Sequence, residues 1–195
     1  MDELDIVIPL PDLVIDKEGL LEIMNDPQYG EWSLPTTSLD ASTSVMTFPF
    51  DKLFSSFAGY YRKSHIDYKK LEPVKSIINQ LNENVKVLLN SPEYSPVIFS
   101  KFPINLKIGK HKDSNRQGAI HIPLTDDAAP TLFWKDGKKL LEHKHNHASM
   151  MNTKGHTHSV ENDDKERFAC QISVYHPWST LKEWYLDERL INRGL

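Results

Sequence analysis

The segment 108–124, "IGKHKDSNRQGAIHIPL", carries His111 and Asp113 two positions apart, with a further histidine, His121, shortly afterwards. Side chains alternate faces along a strand, so residues i and i+2 project to the same side, about 6 to 7 Å apart along the backbone. His111 and Asp113 can therefore converge on one ion. A neutral imidazole beside a carboxylate suits a borderline divalent metal such as iron. Seven of the nine histidines fall between positions 111 and 158, denser than a solvated surface needs, although clustering alone specifies no site.

A third ligand from a distant strand would complete one triangular face of an octahedron. Two histidines and one carboxylate with open positions are the arrangement of non-haem Fe(II) oxygenases. The candidate source is "NTKGHTHSVENDDKERFACQISVYH" at 152–176. His156 and His158 again stand two apart, so spacing leaves both open. Arg167 follows His158 at the start of "RFACQISV", where a hairpin return would bring it back near the metal. A buried arginine needs a counter-anion, because an unpaired buried charge is costly. A dicarboxylate cosubstrate would supply one through a bidentate fork.

"HKD" at 111–113, "HSVEN" at 158–162 and Arg167 together resemble the HxD…H…R signature of the Fe(II)/2-oxoglutarate-dependent oxygenases. "HIPL" at 121–124 and "YHPW" at 175–178 are similar to the branch containing aspartyl/asparaginyl β-hydroxylases and bacterial free-proline hydroxylases. The resemblance covers roughly residues 97 to 178 and implies a double-stranded β-helix, a cupin-like jelly roll holding iron and 2-oxoglutarate. By this analogy His111, Asp113 and His158 bind Fe(II), and Arg167 pairs with the distal carboxylate of 2-oxoglutarate. His121 matches a cosubstrate-holding histidine in an R-x-H-x-P-L stretch of that branch. Ala119 stands where the arginine of that stretch would be, and Arg116, in the loop after Asp113, is its candidate substitute.

The activity implied is a dioxygenase reaction with O2, in which 2-oxoglutarate loses CO2, succinate is released and a C–H bond is hydroxylated. Asp113 fills the position that related halogenases leave open for halide, which favours hydroxylation. An amino acid, a peptide residue or another small metabolite fits as substrate. Two rivals use the same histidines: a non-catalytic metal-binding or structural jelly roll, and a cupin-type metalloenzyme without 2-oxoglutarate. Arg167 discriminates, because a cosubstrate site needs that cation inside the barrel and a structural protein would leave it outside or paired with Glu161, Asp163 or Asp164.

These residues need a sheet to position them. From position 97 the sequence runs as short segments, "VIFSKF", "INLKIGKHKD", "GAIHIPL", "TLFWKD", "ASMMNT", "HSVEN" and "FACQISVYH", punctuated by Gly, Pro, Asn and Asp, the rhythm of an antiparallel sandwich or barrel. Apolar spacing predicts a short helix at 17–25, a longer one at 68–90 and a C-terminal one at 179–192. The expected whole is α+β and mainly β, a single domain. It has a helix-rich elaboration at 1–95, a jelly-roll core at 96–178 and a closing helix at 179–195, with helices against one sheet face and a site on the other.

The chain has 195 residues, with 39% hydrophobic and 26% charged residues and a formal net charge of −4, which suits one core and no polyanion partner. The acidic start "MDELDIVIPLPDLVID" lacks an export pattern, and no stretch reaches the ~18 apolar residues of a membrane span. Cys170 is the single cysteine, read as a small buried apolar residue; it excludes an intrachain disulfide and a thiolate-rich zinc site. A cytoplasmic protein is the expectation. "FPFDKLFSSFAGYYRK" at 48–63 could stack bases, but without a basic stripe it reads as core or pocket lining. His143, His145 and His147 alternate within "KDGKKLLEHKHNH", and their lysine-rich surroundings predict an exposed strand or mobile loop.

Overall fold

The computed structural model describes residues 2–29, 61–63, 71–81, 97–105, 107–114, 116–126, 129–162 and 164–192. Most of the aromatic-rich stretch at 48–63 lies outside them. Strands β1 (Val7–Pro9), β2 (Tyr61–Lys63), β3 (Val97–Phe102), β4 (Lys107–His111), β5 (Gly118–Pro123), β6 (Thr131–Lys135), β7 (Lys138–His143), β8 (Ser149–Met151), β9 (Thr157–Glu161) and β10 (Arg167–Val174) form two sheets. The larger runs β1-β8-β5-β10-β3-β2 and the smaller β4-β9-β6-β7. Among the described residues these strands pair antiparallel throughout. This is the double-stranded β-helix that the resemblance implies. Asp136 and Gly137 take φ of 50° and 78°, the left-handed backbone that a two-residue turn between β6 and β7 requires.

Period-two alternation divides the large sheet into two unlike faces. Cys170, Ile172 and Val174 of β10 join Ile120 and Ile122 of β5, Val97 and Phe99 of β3, Met150 of β8 and Ile8 of β1 in one apolar cluster. Each side chain such as Ile120, fully buried, contributes about 1.5–3 kcal/mol. Helices cover this face. In α1 (Lys17–Asn25), Leu20, Ile23 and Met24 are buried, and the Asp16 side chain caps the first turn by accepting from the Gly19 N–H at 2.9 Å. In α2 (Glu72–Gln80), Val74, Ile77 and Ile78 are buried.

Of the helix read over 68–90, the described residues hold α2, Glu72–Gln80. A proline in the first turn sets the start of α2, and Leu81 turns extended, with φ −80° and ψ 148°, so the helix stops there. Positions 68–70 and 82–90 lie outside the described residues. Helix α3 (Trp178–Asn192) adds Leu181 and Tyr185 to the same core.

The opposite face of β10 and β5 carries Arg167, Gln171 and Ser173 beside His121, a polar row turned toward the small sheet. Two small apolar clusters share this interior: Phe133 with Ile6, Val7 and Met151, and Phe102 with Ala169.

The two ends of the described chain are stitched together beside this interior. Asn152 donates from its backbone N–H to the Ile6 carbonyl at 2.9 Å and from its side chain to the Asp5 carbonyl at 3.0 Å. Trp178 donates to the Leu4 carbonyl at 3.0 Å, and Lys182 meets Asp2 at 2.9 Å and Asp5 at 2.8 Å. No helix among the described residues is long and apolar enough to cross a membrane.

Candidate active site

Strand pairing brings His111 and His158 together. They are direct partners between β4 and β9, with ring centroids 4.2 Å apart. The register shifts between Ile108 and His111, an irregularity that re-aims the strand end. Asp113 lies two residues beyond the end of β4, so the strand pleat does not orient it. Its backbone N–H donates to the Thr153 carbonyl at 3.0 Å, tying the turn to the β8–β9 connection. The Asp113 Oδ1 stands 4.0 Å from His111 Nε2. One ligand atom from each of His111, Asp113 and His158 lies within 4.8 Å of the others, the one such grouping found among the described residues.

Hydrogen bonds fix both imidazoles for ligation. His111 Nδ1 donates to the Gly109 carbonyl at 2.8 Å and His158 Nδ1 to the His156 carbonyl at 3.3 Å. With the proton on Nδ1, each ring keeps a lone pair on Nε2. Burial, followed by the neighbouring His111, pushes the His158 pKa down to about 4, so this ring is neutral at pH 7. Burial opposes ionisation of Asp113, but the Arg116 guanidinium overcomes it and holds the carboxyl well below its usual range. Arg116 Nε donates to Asp113 Oδ2 at 2.7 Å.

His156, the other histidine that spacing allowed, is outside this grouping; its backbone N–H donates to the Asn152 carbonyl at 3.2 Å. Arg116 pairs with Asp113, and its charge also reaches His121.

A second polar cluster sits deeper. Arg167, at 2% exposure, opens β10 and points into the interior. Its Nη1 donates to the Ala129 carbonyl at 3.0 Å, and its Nη2 to His121 Nε2 at 3.1 Å and His145 Nε2 at 3.0 Å. Thr131 Oγ1 lies 2.9 Å from the same His145 nitrogen. A guanidinium only donates, so both Nε2 atoms accept and both rings carry their proton on Nδ1. Burial lowers both pKa values; Arg167 adds to the effect on each, after His121 in the case of His145. His121 Nδ1 lies 3.4 Å from Nε2 of Gln171, its cross-strand neighbour, and with the proton on Nδ1 that amide must turn end for end to present its oxygen as acceptor. Of the three carboxylates weighed as partners of this arginine, Glu161 lies 3.8 Å from Lys107 and Asp163 is outside the described residues.

The histidine run at 143–147 is therefore not an exposed appendage. His145 is buried, and His143 contacts Ser149 Oγ at 2.9 Å. The reason is that β7 pairs with β6, which sets Leu141 opposite Phe133 and His143 opposite Thr131, both inward positions. Leu140, Glu142 and Lys144 take the alternate, exposed side, and Lys138 and Lys139 are exposed where the strand begins. The period-two alternation in "KKLLEHKH" carries that signal, but lysine content masks it.

The two clusters share one wall. Phe133, partner of His158 across β6 and β9, has its ring 6.1 Å from the His158 ring. Thr131 precedes it by two positions on the same face, about 6.6 Å along the strand.

No protein-family model matches the sequence, and no curated protein resembles it in sequence. Solved structures do match in fold. A prolyl hydroxylase of Trichoplax adhaerens, in complex with a hypoxia inducible factor oxygen degradation domain peptide fragment, superposes with a TM-score of 0.59 at 12% identity, covering 88% of this chain and 84% of that one. A prolyl-4-hydroxylase of Pseudomonas putida gives a TM-score of 0.52 at 13% identity, over 88% of this chain and 93% of its own. The chain thus shares the jelly-roll fold of these two hydroxylases.

Proposed function

We propose that this chain is an Fe(II)- and 2-oxoglutarate-dependent oxygenase that hydroxylates a C–H bond of an amino acid, a peptide residue or a small metabolite. The observation that carries the reading is the pairing of a two-histidine, one-carboxylate grouping with a buried arginine farther along the same interior. The donor set fits the metal. Bond lengths of about 2.1 Å put neighbouring ligands about 3 Å apart, so the observed 4.0 Å between His111 Nε2 and Asp113 Oδ1 closes with a small side-chain rotation. When bound, iron and the keto acid supply O2 activation coupled to loss of CO2, with succinate as co-product.

The chain's own residues do the rest. His111 and His158 offer Nε2 lone pairs because their Nδ1 protons are held by backbone carbonyls. Arg116 engages Asp113 Oδ2 and leaves Oδ1 to face the histidines. Arg167 gives a diacid's far carboxylate a cation in a site that water does not screen. Apolar walls at Phe133 and Phe102 exclude water from the space between. The peptide carried by the Trichoplax neighbour supports a peptide residue as one substrate class.

The test is anaerobic titration of the protein with Fe(II) and 2-oxoglutarate, followed by succinate release on adding O2. The reading expects a weak visible charge-transfer band that depends on both additions. Folded protein that gives no band and no succinate returns the site to the structural or cupin-type alternatives.

A further inference from the structure

Charge is spread unevenly along the small sheet. Its strands alternate in direction, so the end of β4, the start of β9, the end of β6 and the start of β7 meet at one end, through the partners His111↔His158, Trp134↔Thr157 and Lys135↔Lys138. This is the end that holds His111, Asp113 and His158. It also carries Lys110, Lys112, Lys135, Lys138 and Lys154, all exposed. Lys154 follows Thr153, whose carbonyl accepts from the Asp113 N–H, and the charges of Lys112 and Lys135 both bear on His156. A basic rim thus borders the metal-ligand grouping.

Other lysines find carboxylates. Lys17, Lys75, Lys101, Lys107, Lys139 and Lys182 each lie 2.6 to 3.8 Å from one. Among the described residues none of the rim lysines has such a partner, and Asp136, in the turn between Lys135 and Lys138, ion-pairs with neither. Lys135 and Lys138 stand directly opposite each other across the hairpin, an arrangement of like charges that costs stability. A rim kept cationic at that cost is matched to an anion from outside. The net charge of −4 conceals it, because the field of the whole chain and the field at one edge are separate quantities.

Two features narrow the kind of anion. From β4 to β7 the rim crosses three strand spacings, about 14 Å, which a small metabolite does not span and about four extended residues of a polypeptide do. Trp134 is an aromatic side chain of this rim, and Lys110 Nζ sits 3.4 Å from its ring centroid, on the surface where a base would stack. That disfavours a polynucleotide.

We infer that this lysine rim docks an acidic polypeptide segment, so that the residue presented to the site is one flanked by aspartates or glutamates. Its role as substrate rests on the oxygenase reading above; the docking does not.

The experiment is fluorescence anisotropy of the full chain, loaded with Zn(II) and 2-oxoglutarate, with short labelled peptide pools randomised at the centre and flanked by glutamates or by glutamines. The glutamate pool is expected to bind about tenfold or more tightly than the glutamine pool at about 50 mM salt, and the gap to close to about twofold at about 1 M. Lys112→Gln/Lys135→Gln/Lys154→Gln is expected to lose most of that preference while metal and 2-oxoglutarate affinities stay within about threefold. Lys17→Gln/Lys75→Gln/Lys101→Gln removes the same charge from paired sites and is expected to keep the preference.

Equal binding of the two pools by wild-type protein overturns the inference and leaves the oxygenase reading standing. So does a loss in the second triple variant as large as in the first, because the attraction is then one of net charge. A labelled oligodeoxythymidylate that displaces the glutamate pool at equal concentration gives the rim to a nucleic acid and also overturns the inference. Glutamate preference through the rim, in protein that gives no charge-transfer band with Fe(II) and 2-oxoglutarate, supports the docking and overturns the oxygenase reading alone.

Discussion

At the His111 end of the interior, solvent still reaches the side chains: that of His111 is 34% exposed and that of Asp113 14%. At the Arg167 end, Arg167 is 2% exposed and His121 0%. Both ends pair ionisable groups with imidazoles, yet they differ in what water can do. A partly open end lets ligands exchange, as a metal with vacant positions requires. A closed end makes each charge contact stronger, because little screens it, and makes each unmatched group more costly. Under the proposed function, exchange and selection would fall to different depths of one sheet interior.

The hardest blow to this contrast is Asp113→Ala. It is expected to abolish metal binding and to cut succinate release by about a thousandfold or more, while Tm falls by only a few degrees because the site is near the surface. Isothermal titration with Mn(II) and a thermal melt check both halves. Arg167→Ala should act oppositely: metal affinity within about twofold of wild type, and affinity for 2-oxoglutarate lower by roughly a hundredfold. Loss of metal binding in that variant would mean the two ends are not separable.

Acid should sharpen the same distinction. Burial, then His147 and Arg167, hold the His143 pKa at about 4 against a usual 6.5. The unfolded chain therefore takes up more protons than the folded one between those values, and stability is lost as pH falls from about 6.5 toward 4. His143 accounts for about 3 kcal/mol of that loss, and His121 and His145, shifted the same way, add to it. Melting temperature measured across this window in His143→Gln should show a shallower decline than wild type. The smallest effect belongs to His156→Ala, where metal affinity and succinate release should stay near wild type; a large loss there would reassign the third ligand away from His158.

Much of this was legible in the sequence for physical reasons. Strand alternation and turn residues mark most of the jelly roll, since a strand with one apolar face announces its own register. His111, Asp113, His158 and Arg167 stand out because their residue types are poor choices for a plain core. What escaped depended on partners distant in sequence. The inward aim of His145 follows from β7 pairing with β6, and local lysine content argues against it. Arg116 bonding to Asp113 is a feature of a loop turned by Thr153, forty residues away in sequence. The three-residue strands β1 and β2 are too short to show a period, and α2 stops at Leu81 although apolar spacing continues.

Thr153, which steadies Asp113 by accepting its amide hydrogen, sits next to Asn152, and Asn152 leans on the backbone of Asp5 and Ile6. Tension applied ahead of β1, by a fused partner or a proteolytic nick, would thus be transmitted through two neighbouring residues to the carboxylate proposed to grip iron. Under the proposed function, trimming the amino-terminal edge strand should loosen metal retention before it unfolds the barrel.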